Sequence, residues 1–155
     1  MPLDPTTKPL GNDLILTDRI ASTFAAPPPA CAAALAALDV LEEEDLPSSS
    51  QRLGDLLYNT ISKLNPPHIL AYRGKGRGLF QCLVIDESIP GVTGRRVAAL
   101  CARRGLLVGC TENRIRFSPP LTMSEEDIIY GAQIVDSALR DVHSFGDFPG
   151  SDYLL

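Results

Sequence analysis

The chain has 155 residues, 45% hydrophobic and 21% charged, which suits one globular domain and leaves no room for two large ones. Its net charge of −5 gives no general attraction to a phosphate backbone and argues against nucleic acid as a partner. The longest apolar run, Ala30 to Leu38, is too short to span a bilayer, and residues 1–10 lack the apolar stretch of a signal peptide; the expectation is a soluble, cytoplasmic protein with no membrane partner.

Residues 1–20 show no sustained period and read as a loose leader with a short strand around Leu14 to Leu16. From Ala30 an alanine-rich run predicts a helix with Leu35, Leu38 and Leu41 on one stripe, ended by Pro47. Glu42, Glu43 and Glu44 lie at the wrong end for the helix dipole, which points to solubility or a partner rather than to helix stability. A second helix is predicted over residues 50–64, where Leu53, Leu56, Leu57, Ile61 and Leu64 mark a buried face and Asn65-Pro66-Pro67 makes the stop. Residues 79–86 read as a central strand, apolar on both faces. A third helix over residues 94–104, short strands at 106–108 and 115–117, and a helix over residues 124–142 follow. Ser124 caps this last helix with Asp127 three residues on, and Ile128, Ala132, Val135, Leu139 and Val142 line its inner face.

Helices with one apolar stripe each must bury it, so the expected fold is α/β in two layers: a small mixed or antiparallel sheet with helices on one face. The organisation read from the chain is a leader over 1–20, a connecting segment with its helix over 21–46, a domain over 47–143 and a frayed tail over 144–155. Cys31, Cys82, Cys101 and Cys110 form no CxxC pair, and with only two histidines they read as buried free thiols, not metal ligands.

Three segments carry candidate chemistry. Arg73-Gly74-Lys75-Gly76-Arg77-Gly78 fits neither a P-loop nor a dinucleotide fingerprint, because Gly76 follows Lys75 and the segment precedes a strand. It reads as a tight strand entry with glycines at positive φ, with an RNA or other anion contact as alternatives. Arg114 and Arg116 share one face of a strand that runs into Ser118-Pro119-Pro120; an arginine fixed there either grips a carboxylate bidentately or makes a surface ion pair. Ser22-Thr23 precedes a helix and is suited either to a phosphate or to ordinary capping.

Taken together, Ala21-Ser22-Thr23-Phe24 with Ala30 to Glu44, Gly76-Arg77-Gly78-Leu79-Phe80 with Val84-Ile85-Asp86-Glu87, and Gly105-Leu106-Leu107 with Ile115-Arg116-Phe117-Ser118-Pro119-Pro120-Leu121 resemble the C-terminal part of class III, pyridoxal phosphate (PLP)-dependent aminotransferases, most of all the ornithine aminotransferases. The resemblance spans residues 21–142 and implies the small domain of a fold-type I PLP enzyme. The implied family activity is transfer of the δ-amino group of ornithine to 2-oxoglutarate through PLP. Thr23, with Ser22 beside it, matches the hydroxyl that reaches the cofactor phosphate of the neighbouring subunit. Arg116 matches the arginine that serves the substrate carboxylate or its acidic switch partner. Ala25-Ala26-Pro27-Pro28 replaces the family's Gly-Gly-Asn-Pro, and two extra residues stand near Gly74 to Gly78. The family's large domain has no counterpart in the sequence, and Lys8, Lys63 and Lys75 match no Schiff-base context. The chain is therefore expected to be inactive alone, no catalytic residue is assigned to it, and its expected partner is the missing large domain or an aminotransferase subunit. Two readings follow from that: a fragment of a complete enzyme, or a short non-enzymatic paralogue that binds such subunits.

Overall fold

The computed structural model describes residues 27–144. The described residues divide into two units, 27–40 and 41–144. The predicted strand at 14–16, Ser22, Thr23 and the predicted tail lie outside the described residues.

The first unit carries most of helix α1 (Pro28–Glu43). Pro28 and Pro29 form its first turn, where a missing N–H costs nothing, and the amides of Ala30 and Cys31 donate to the Pro27 carbonyl. Pro47 does not end this helix. It sits in the first turn of α2 (Leu46–Leu64), which starts four residues earlier than the apolar period indicates. Asn65 closes α2 in the left-handed region at φ 47°, donating its backbone N–H to the Ile61 carbonyl.

The second unit continues with β1 (Ile69–Arg73), β2 (Gln81–Ile85), α3 (Gly94–Arg103), β3 (Gly109–Thr111), β4 (Arg114–Phe117) and α4 (Glu125–Asp141). The strands form one antiparallel sheet in the order β1-β2-β4-β3, so the expected central strand is central. Leu83 stands opposite Ile115 and Gln81 opposite Phe117, which places Gln81, Leu83, Ile85, Ile115 and Phe117 on one face. The apolar members of that face join Leu53, Leu57 and Ile61 of α2, Val97, Leu100 and Cys101 of α3, and Ile128, Ala132, Val135 and Leu139 of α4 in one core. Helices thus cover one face, as their single stripes require. The opposite face carries Cys82 between Arg73 and Arg116, and Val84 between Ala71 and Arg114.

Two strands depart from expectation. β1 was not foreseen: Pro66-Pro67 precede it, and a register shift between Ile69 and Ala71 breaks the alternation that marks a strand. The strand expected at 106–108 forms instead at 109–111. The Leu106 amide is held by the Cys101 carbonyl at the end of α3, so pairing starts only where Gly109 meets Arg116.

Ser124 caps α4 as predicted, accepting from the Asp127 amide at 3.1 Å. Arg96 Nε donates to the Val142 carbonyl at 3.0 Å at the other end of that helix. The glycine-rich segment is the tight turn between β1 and β2, with Gly74, Gly76 and Gly78 at φ 107°, 70° and 61°. Its Lys75 lies 5.5 Å from the centroid of the Tyr58 ring, which itself stacks on Tyr72.

All four cysteines are free, but only Cys101 is fully buried; Cys82 and Cys110 are half-buried and Cys31 is exposed. Burial pushes the Cys101 thiol from its ordinary 9.0 up to about 12, against a smaller lowering by Arg104. Cys101 is therefore expected to resist iodoacetamide at pH 8 while Cys31 alkylates, as peptide mass mapping would read. Because the folded thiol stays protonated where the unfolded one ionises, its contribution to stability declines as pH rises from about 9 towards 12.

Candidate functional site

The site is built around β4. Ile115 and Phe117 are buried and anchor the strand, and alternation then turns Arg114 and Arg116 outward together. The hairpin tip before them is fixed at both ends. Glu112 takes φ 53°, the Asn113 side chain donates to the Ile85 carbonyl at 3.0 Å, and the Ile85 amide donates to the Asn113 carbonyl at 2.8 Å.

The two arginines have different fates. Arg114 pairs with Glu112 at the tip, the surface ion pair that was one of the two readings. Arg116 is exposed and has no hydrogen-bond or ion-pair partner among the described residues. Its guanidinium leans over the neighbouring strand: a Cβ built at Gly109 would stand 3.7 Å from Nε and 3.9 Å from Nη2. A Cβ at 109 would thus only touch the arginine at ordinary van der Waals distance.

Arg116 thereby reaches the rim of a cavity of ≈ 230 Å³ at the β3 end of the sheet. Leu107, Pro120, Met123 and Gly131 contribute its apolar wall. Asp127 also lines it, with one carboxylate oxygen 2.7 Å from the Ser124 hydroxyl. An unpaired planar cation beside an apolar wall is equipped to hold a carboxylate.

Nothing comparable surrounds the lysines. Lys63 and Lys75 are both exposed, whereas a lysine that forms a Schiff base needs a desolvated, positioned amine. The described residues therefore do not fit PLP. The two histidines, remote in sequence, meet edge to face with ring centroids 5.0 Å apart, a contact that no local motif announced. The signal that separates Arg116 from Arg114 was available in the sequence: the acidic Glu112 stands two positions before Arg114, whereas Arg114 itself stands two positions before Arg116.

The four-stranded antiparallel sheet backed by helices is a mixed α/β fold that matches solved aminotransferases. The class-III aminotransferase profile matches residues 6–139, and the chain belongs to that family. An ornithine aminotransferase of Emericella nidulans is 36% identical over 123 residues, covering 78% of this chain and 27% of the relative. One of Bacillus cereus is 40% identical over 119 residues, covering 76% of this chain and 28% of the relative. Among solved structures, the ornithine aminotransferase of Toxoplasma gondii superposes with a TM-score of 0.75 at 26% identity, over 85% of this chain and 31% of that one. The acetylornithine aminotransferase of Elizabethkingia anophelis gives 0.71 at 32% identity, over 83% and 34%. The chain thus spans 27% and 28% of those two curated relatives, and class-III aminotransferases as a family depend on PLP.

Proposed function

We propose that this chain is the small-domain portion of an ornithine aminotransferase-type enzyme, supplying a carboxylate grip at Arg116 and no covalent chemistry of its own. The observation that carries this reading is the unpaired Arg116 guanidinium, held on a fixed hairpin at the mouth of an apolar cavity. The family activity that this reading carries is transfer of the δ-amino group of ornithine to 2-oxoglutarate, for which PLP, held by the rest of a complete enzyme, would supply the amino-carrying chemistry. Arg116 would hold the carboxylate of an amino acid or 2-oxo acid, or an acidic side chain of the large domain that exchanges with it. Ser22 and Thr23 would meet the cofactor phosphate of a neighbouring subunit, hydroxyl groups being suited to that contact. The partner in this reading is an aminotransferase large domain or subunit.

The alternative, a short paralogue that binds aminotransferase subunits without catalysis, shares every one of these residues. What favours either over a self-sufficient enzyme is the exposure of Lys63 and Lys75.

The grip is tested by titrating the full chain with glutarate while following the arginine Nε–H signals by NMR. The Arg116 signal is expected to move and the Arg114 signal to stay, because Glu112 already occupies Arg114. Arg116→Met is expected to abolish the response entirely. Equal movement at both arginines, or a response that survives in Arg116→Met, would refute the assignment.

A further inference from the structure

We propose that His68 and His143 form a binding site for a borderline divalent metal ion of the zinc, copper or nickel kind, with water in the remaining positions. The chain holds only two histidines, far apart in sequence, and the fold brings them together. Their rings stand edge to face, with centroids 5.0 Å apart and planes 82° apart. Neither ring makes a hydrogen bond or ion pair among the described residues, so each neutral imidazole keeps a lone pair to offer. Imidazole is the ligand that suits these ions.

The spacing fits a shared ion. Zinc lies about 2.0–2.1 Å from a ligating nitrogen, hence about 3.2 Å from the ring centre, and centres 5.0 Å apart then subtend about 100° at the metal, near the tetrahedral angle. A closed structural site needs two further protein ligands. No third His, Cys, Asp or Glu joins the pair among the described residues, so water completes the shell. His68 takes the left-handed region at φ 65°, uncommon for a residue with a Cβ. It is pinned there between Pro67 and β1, its carbonyl accepting from the Asp86 amide at 2.9 Å. His143 directly follows Val142, the C-cap of α4. The Ser144 amide closes that end by donating to the Asp141 carbonyl at 2.9 Å, and Arg96 Nε holds the Val142 carbonyl. The carbonyl end of a helix is its negative pole and favours a cation. His143 is exposed and its ring turns about χ2 at little cost, which lets a nitrogen bear on the ion. An ion so held ties the end of α4 to the entry of β1.

The test is a Zn²⁺ titration of the untagged full chain, followed by NMR of the two imidazole Hε1 signals. It is made in a Cys31→Ser background, because that exposed thiol competes for zinc. Both signals are expected to move in step and to saturate at one Zn²⁺ per chain. His143→Ala, a change at an exposed position, is expected to weaken the His68 response by about tenfold or more, since a chelate that loses one arm loses its effective concentration. Amide exchange in the sheet should stay unchanged. His68→Asn, which keeps a residue tolerant of positive φ, should weaken the His143 response likewise. No movement, movement of one imidazole alone, saturation at two ions per chain, or an undiminished response in either variant would each overturn the proposal.

Discussion

Gly54→Ala is expected to destabilise the sheet-bearing unit by about 2–3 kcal/mol, although the same change on an exposed helix stabilises by about 1 kcal/mol. The sign is decided by backbone. A Cβ built at Gly54 would lie 2.2 Å from both the carbonyl carbon and the carbonyl oxygen of Gly78. Neither can rotate away, so α2 and the turn before β2 would have to part. Parting them also lengthens the bond from Gln81 Nε2 to the Gly54 carbonyl, now 2.6 Å. The turn cannot adapt easily, because Gly78 sits at φ 61° with Ser50 Oγ packed where its own Cβ would be. A urea midpoint shifted down at constant slope would agree with this. An upward shift, the result for an ordinary helix glycine, would mean that the close approach carries no weight.

The second large effect belongs to Gln81, a polar side chain only 2% exposed on the core face of β2. Its amide nitrogen donates to the Gly54 carbonyl at 2.6 Å and to the Gly78 carbonyl at 2.9 Å, and its oxygen accepts from the Tyr72 hydroxyl. One side chain therefore satisfies a helix carbonyl, a turn carbonyl and a strand phenol. Tyr72 is held as a neutral donor, since burial, with Tyr58 alongside, pushes its phenol above the ordinary 10.0. Gln81→Leu strands all three groups and is expected to cost about 3 kcal/mol. Gln81→Glu tests polarity separately from shape. A carboxylate facing two carbonyl oxygens in a buried site is disfavoured, so its folded pKa is raised and stability falls as pH rises above about 4.3, the unfolded value. Gln81→Leu should show no such added pH dependence. Denaturant unfolding of both variants at pH 4 and pH 7 reads the difference; equal pH profiles would show that the donor role is unimportant.

These two residues mark the limit of what the sequence discloses. The inner faces of α2 and α4 were legible because Leu53, Leu57 and Ile61, and Ile128 through Leu139, repeat at helical spacing and are indeed buried. The orientation of Arg116 was legible for a similar reason, since alternation on so short a strand leaves one choice of face. Gly54 and Gln81 gave no comparable signal, because their importance arises from a contact between segments far apart in sequence. β1 escaped notice through its broken register, and β3, three residues long, is defined by its pairing with β4 rather than by its composition. Family kinship came from the order of short motifs, and the class-III match over residues 6–139 agrees with it.

On the proposal above, this chain would carry a substrate grip but not the covalent machinery of its family. The direct measurement is to incubate the pure 155-residue chain with PLP, ornithine and 2-oxoglutarate, assay glutamate semialdehyde, then reduce with borohydride and map the lysines. The expected result is no turnover and no stoichiometric pyridoxyl label on Lys8, Lys63 or Lys75. Ornithine-dependent turnover, with one of those lysines fully labelled, would contradict it.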